Sequence, residues 1–108
     1  MASSSTSNIV TIPGGNPVTV NNNLTLNSNA RLTLACSSFT VNGQTSLSGF
    51  LVNTLSNVNH TFQTITVNPL GSYFTNTTGT TTINGNLVLN GGSFADTAGS
   101  ATNHTVVI

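Results

Sequence analysis

Few residues in this chain are equipped for chemistry, and their spacing decides what they can do. Cys36 is the only cysteine, Arg31 the only basic residue and Asp96 the only acidic one; His60 and His104 stand 44 positions apart. A catalytic zinc needs three protein ligands, and a nucleophilic cysteine needs a histidine with an orienting group behind it. One carboxylate cannot make the acid/base pair of a glycosidase. Cys36 therefore reads as a small corner or core residue, and Arg31 and Asp96 as solvated charges, with pairing between subunits as the alternative. No catalytic residue, metal or cofactor is expected, and the chain is not expected to be an enzyme.

What must be positioned is instead a set of uncharged side chains. Thr, Asn and Ser make up nearly half of the 108 residues, and only 2% are charged, against about 25% in ordinary globular domains. A basic nucleic-acid surface and an anionic-lipid patch both need clustered Lys and Arg, so neither partner is expected. No apolar run approaches the roughly 18 residues of a membrane span, and the opening "MASSSTSNIV" has neither the basic nor the apolar region of a secretory signal. Thr and the β-branched residues favour strands, Asn and Gly favour turns, and no stretch has helical composition. The chain reads as all-β.

Laid against itself, the sequence repeats at a shift of 21. Thr19, Thr40, Thr61 and Thr82 fall in one column; Val20, Val41, Phe62 and Ile83 in the next; Asn21, Asn42, Gln63 and Asn84 in the third. Leu26, Leu47 and Leu89 share a column in which Asn68 is the exception, and Thr33, Thr54 and Thr75 align with Asp96. Ser72 matches Ser93, and Gly43 matches Gly85 two periods on. Three adjacent columns that keep their type through four copies mark a structural repeat.

Within a copy, apolar residues alternate in short runs, as in Val18 and Val20, Leu24 and Leu26, Leu32 and Leu34. Period two marks half-buried strands, so each copy predicts three short strands joined by corners, with the Asn-Gly steps at 42–43 and 84–85 as tight corners. Such a unit cannot bury its own inner face and is stable only when copies stack about 4.8 Å apart. The expected fold is a parallel β-helix (β-solenoid) of about five coils of about 21 residues, with three short strands per coil. Residues 1–8 form a polar N-terminal arm and 9–108 a single solenoid domain. The Thr and amide columns (Thr19, Thr40, Thr61, Thr82; Asn21, Asn42, Gln63, Asn84) become outward ladders. Val20, Val41, Phe62 and Ile83, with Leu26, Leu47 and Leu89, become core ladders. Stacked amides bond to the amide above and below, whereas stacked like charges repel, which accounts for the scarcity of charge.

The stretches "VTVNNNLTLNSNARLTL" (18–34) and "TTINGNLVLNGGSF" (81–94) resemble the coils of autotransporter-passenger and filamentous-adhesin β-helices. The likeness covers most of 9–108 and implies a right-handed β-helix. Polysaccharide lyases of this fold rely on acidic and basic clusters, which this chain lacks.

Solenoids normally carry terminal caps, and none is visible in the sequence. "NIVTI" (8–12) and "HTVVI" (104–108) are apolar strands, with no Lys, helix or Pro placed to blunt pairing. The expected function is therefore structural. The subunit would stack head-to-tail on copies of itself through Ile9, Val10, Ile12, Val106, Val107 and Ile108 into an extracellular or virion-surface filament. Two alternatives stand beside it: an ice-binding solenoid using the outward Thr ladder, and an adhesin or carbohydrate-binding module. The last would want outward aromatic residues, and Tyr73 is the only tyrosine.

Overall fold

Fourteen short strands, none longer than five residues, wind around three faces. The structure, a computed structural model, describes residues 8–12, 14, 16–53, 59–75, 79–96 and 104–107. In chain order the strands are β1 (Asn8–Ile12), β2 (Pro17–Val20), β3 (Leu24–Leu26), β4 (Ala30–Leu34), β5 (Ser38–Val41), β6 (Thr45–Leu47), β7 (Phe50–Asn53), β8 (Asn59–Phe62), β9 (Ile65–Val67), β10 (Ser72–Thr75), β11 (Gly79–Ile83), β12 (Leu87–Leu89), β13 (Ser93–Asp96) and β14 (His104–Val107). Every third strand joins the same parallel sheet. Sheet A runs β1-β4-β7-β10-β13, sheet B β2-β5-β8-β11-β14 and sheet C β3-β6-β9-β12. This is an all-β solenoid of four complete coils, with β13 and β14 starting a fifth. No described residue is helical.

From β2 to β11 sheet B keeps the 21-residue step, whereas β14 pairs with β11 at a step of 25, Gly79 with His104. Val18, Thr19 and Val20 pair with Phe39, Thr40 and Val41; Thr40 pairs with Thr61; Thr61 and Phe62 pair with Thr82 and Ile83. The other sheets drift and recover. Arg31 pairs with Phe50, a step of 19, because only Ser48 and Gly49 lie between β6 and Phe50, whereas Asn27–Ala30 lie between β3 and Arg31 one coil earlier. Thr45 pairs with Ile65, a step of 20, because Gln63 and Thr64 replace a three-residue corner. The corner Asn68–Gly71 sets Ser72 against Phe50 a step of 22 later, and the three-residue corner 84–86 sets Leu87 against Ile65 by the same step.

Two expectations change in consequence. The Leu26–Leu47 column continues through Val67, not Asn68, to Leu89, so the column is apolar throughout. Thr33 stacks on Val52 and not in a threonine column, while Thr75 does pair with Asp96; Thr54 lies outside the described residues. Ser72 pairs with Ser93.

The core fills the space between the three sheets. Leu32, Leu34 and Leu51 come from sheet A, Phe39, Val41, Phe62 and Ile83 from sheet B, and Leu47, Ile65 and Val67 from sheet C, all in one cluster. Cys36, at the A-to-B corner, belongs to the same cluster and is fully buried. Tight corners hold the coils together. Gly49 lies directly over the preceding corner, and a Cβ there would collide with the carbonyl oxygens of Ala30 and Asn27.

Candidate functional site

Three features could carry function: the outward ladders, the two ends of the stack, and a polar group sealed in the core.

The outward threonine column runs unbroken through four coils of sheet B. Thr19 is exposed, and Thr40, Thr61 and Thr82 are half-buried among their neighbours. The next outward column on the same sheet, two residues earlier, is Pro17, Ser38, Asn59 and Thr80. The amide column lies at the B-to-C corner, where Asn21, Asn42 and Asn84 are exposed and Gln63 is half-buried. Asn42 Nδ2 reaches Asn21 Oδ1 at 3.5 Å. Stronger links come from side chains that accept a backbone N–H of the next coil. Asn23 Oδ1 accepts from Gln44 at 2.8 Å, Asn59 Oδ1 from Thr80 at 2.9 Å and Thr64 Oγ1 from Asn86 at 3.2 Å. On the third corner Asn68 Nδ2 donates to Ser46 Oγ at 2.9 Å. Each of these bonds spans one coil, so polar side chains act here as rungs between levels.

At the ends the inward columns lose their cover. In sheet C, Leu47 and Val67 are fully buried, Leu26 is partly covered, and Leu89 is 54% exposed. Leu89 was expected in the core; it lies on β12, the outermost described strand of sheet C. The same happens at the other end of sheet A. Val10 heads the column that continues through Leu32, Leu51 and Tyr73; the last three are buried, and Val10 is 54% exposed. Ile12 is partly buried and packs on the core. Ile9, Val106 and Val107 lie on the end strands β1 and β14, and Ile108 is outside the described residues.

The core holds a polar group that the sequence did not announce. His60 is fully buried, with its Nδ1 2.7 Å from the Tyr73 hydroxyl, which lies 2.6 Å from Thr81 Oγ1. The three therefore form one chain of hydrogen bonds, Thr81 and His60 flanking the phenol. Aromatic rings surround it: Tyr73 stacks on Phe94 at 4.6 Å and meets Phe62 edge-on at 5.8 Å. Hence Tyr73 is not an outward aromatic, and the exposed ring on sheet A is Phe50. His60 and His104 do not share a column, since His60 pairs with Thr81 and His104 with Gly79. Among the described residues no three His, Cys, Asp or Glu side chains gather as a metal site, and no helix is long and apolar enough to cross a membrane. Burial pushes the Cys36 thiol above its ordinary range, which suppresses the thiolate and its reactivity. One further buried hydroxyl, Thr45 Oγ1, finds no hydrogen-bond partner among the described residues.

Sequence reasoning missed the His60–Tyr73–Thr81 group because each residue type is common on outer faces. The available signal was register: His60 and Thr81 occupy the inward column begun by Val18 and Phe39. Comparisons with protein-family models, curated proteins and solved structures return no match to this chain.

Proposed function

We propose that this protein is a structural subunit that stacks head-to-tail on copies of itself into a β-solenoid filament, in an extracellular or virion-surface setting. The observation that carries the reading is the pattern of exposure along the inward columns. Leu47, Val67, Leu32 and Leu51 are covered on both sides, whereas Val10 and Leu89, at opposite ends of the stack, are each 54% exposed. An apolar end with an open parallel edge is a template for another strand, and a head-to-tail contact that does not close makes a fibre. The nearly uncharged surface removes the repulsion that would keep copies apart. The resemblance to autotransporter and filamentous-adhesin coils supports a mechanical role outside the cell.

Electron microscopy of the purified protein across a concentration series tests this. Unbranched filaments with a strand repeat of about 4.8 Å along the axis are the expected result. Protein that stays monomeric by light scattering at millimolar concentration would sink the proposal.

A second reading, ice binding, is favoured by one observation, the in-register column Thr19, Thr40, Thr61 and Thr82. The mixed column beside it, Pro17, Ser38, Asn59 and Thr80, weakens that reading, since a lattice-matched face wants regular neighbours. Thermal hysteresis at micromolar protein would support ice binding, and its absence would retire it.

A further inference from the structure

Three Asn-Gly steps stand at corners of the solenoid: Asn42-Gly43, Asn84-Gly85 and Asn90-Gly91. In each the asparagine is exposed, and glycine has no side chain to hinder attack on its neighbour. Such a step has a chemistry of its own. The glycine nitrogen, after losing its proton to water, attacks the carbonyl carbon of the asparagine side chain. A new N–C bond closes a succinimide ring, and the side-chain nitrogen leaves as ammonia. Water then opens the ring at either carbonyl, giving aspartate or isoaspartate. The sum is amide plus water to carboxylate plus ammonium, with no oxidant or reductant.

The nucleophile is a backbone N–H, so a hydrogen bond on that N–H withholds it. At 42–44 every amide is bound. Asn42 N donates to the Val20 carbonyl at 2.8 Å, Gly43 N to that of Asn22 at 3.1 Å, and Gln44 N to Asn23 Oδ1 at 2.8 Å. At 84–86 the pattern recurs: Asn84 N donates to the Phe62 carbonyl at 2.9 Å, Gly85 N to that of Gln63 at 2.9 Å, and Asn86 N to Thr64 Oγ1 at 3.2 Å. The corner 90–92 breaks it. Asn90 N donates to the Val67 carbonyl at 2.8 Å, and the bonds resume at Ser93 N on Gly71 at 3.1 Å. Between them Gly91 N has no partner among the described residues. The cause is length. The corner beneath, 68–71, has four residues against three at 90–92, so donors and carbonyls fall out of step, and Gly91 (φ +87°) lies over Pro69.

We infer that Asn90 is a site of spontaneous deamidation, selected from the three Asn-Gly steps by its unbound glycine amide. Tethering of the side chain does not separate the steps, since Asn90 Nδ2 reaches Asn68 Oδ1 at 3.5 Å and Asn42 Nδ2 reaches Asn21 Oδ1 at the same distance. Conversion adds one negative charge to a chain whose formal net charge is zero. It sets a carboxylate against Asn68 Oδ1, acceptor facing acceptor. As isoaspartate it also lengthens the backbone in the bend between β12 and β13.

Native protein aged in mildly alkaline buffer, then digested with chymotrypsin, locates the change by mass, and labelling with isoaspartyl methyltransferase reports the isoaspartate. Asn90 is expected to convert roughly five- to tenfold faster than Asn42 or Asn84, because a backbone bond must open first at the other two. In urea, with the corners unfolded, the three rates are expected to converge. Asn90→Gln, which closes its ring far more slowly, is expected to remove the earliest acidic band on isoelectric focusing. Equal rates in the native protein overturn the inference. The same order of rates in urea also overturns it, since flanking sequence and not the fold would then set that order. So does an early acidic band that survives Asn90→Gln.

Discussion

Tyr73 and His60 meet inside the solenoid, the phenol oxygen 2.7 Å from Nδ1, although they lie on different sheets and in successive coils. The contact joins β10 to β8 across the core, and Thr81 on β11 joins the same chain of bonds. A buried polar group of this kind is favourable only when its members satisfy one another, so it fixes the register of two coils more strictly than methyl groups would. Tyr73→Phe keeps the ring against Phe94 and Phe62 and removes the shared oxygen. It is expected to cost about 1–3 kcal/mol, read as a lower midpoint in urea unfolding. A loss below about 0.5 kcal/mol would mean that the aromatic packing alone holds this level.

Thr45 presents the opposite case. Its hydroxyl is buried in an apolar column between Leu24 and Ile65 and has no partner among the described residues. Thr45→Val keeps the shape and removes the stranded oxygen, so it is expected to stabilise by about 1 kcal/mol. A raised melting temperature checks this; a lowered one would reveal a bond the hydroxyl makes.

Leu70 is 80% exposed and holds a left-handed backbone, with φ at +69°. It is the third residue of a turn closed by the Gly71 amide on the Asn68 carbonyl at 2.9 Å, the place where a type II turn calls for glycine or asparagine. One coil pair earlier, Asn29 fills the equivalent place at +68°. Leu70→Gly is expected to stabilise by about 1 kcal/mol, because the left-handed conformation costs a side chain roughly that much. Differential scanning calorimetry of Leu70→Gly against Leu70→Ala, which keeps the Cβ, would separate relief of the backbone from loss of the exposed leucine. Equal effects would count against strain.

The scarcity of charge has a direct test in the threonine column. Thr40 and Thr61 are paired neighbours on adjacent strands. Thr40→Glu and Thr61→Glu together are expected to be less stable than the sum of the single changes by about 0.5–1 kcal/mol. Salt should shrink that coupling. Additive effects at low ionic strength would show that the ladder tolerates charge.

Asp96 sits on β13, the last described strand of sheet A, and is the only acidic residue in the chain. A charge on an edge strand opposes further pairing. Asp96→Asn is expected to lengthen filaments and to lower the concentration at which they appear, measured by sedimentation and electron microscopy. Unchanged assembly would remove Asp96 from any role in limiting growth.

How much was legible in the sequence varied by face. Sheet B could be read to the residue from β2 to β11, where the steps from Thr19 to Thr40 to Thr61 to Thr82 are constant because the flanking corners gain and lose residues in compensation, but not at β14, which pairs at a step of 25. Sheets A and C could not be read from a fixed period. Two-residue corners at 48–49 and 63–64 pull the strands after them ahead of the 21-residue beat, and longer corners at 68–71 in the one case and 84–86 in the other return them. A column test at constant shift therefore assigned Asn68 where Val67 belongs and aligned Thr33 with Thr54. The register of each strand follows its own inward–outward alternation, and alternation in three-residue strands is too short to fix alone. Burial of His60 and exposure of Leu89 were illegible for a different reason. Each depends on the stack as a whole, the one on which rings line the core at its level, the other on where sheet C stops.

The elastic corners have a consequence for engineering. Because the turn after β9 carries two residues more than its counterpart after β6, and the strands beyond it still find their partners, length at this bend is decoupled from the ladders. A foreign epitope spliced beside Leu70 would thus ride on the scaffold without disturbing it. If copies polymerise, the insert would recur at the axial repeat of the subunit, making a linear antigen array whose spacing is set by the number of coils per molecule.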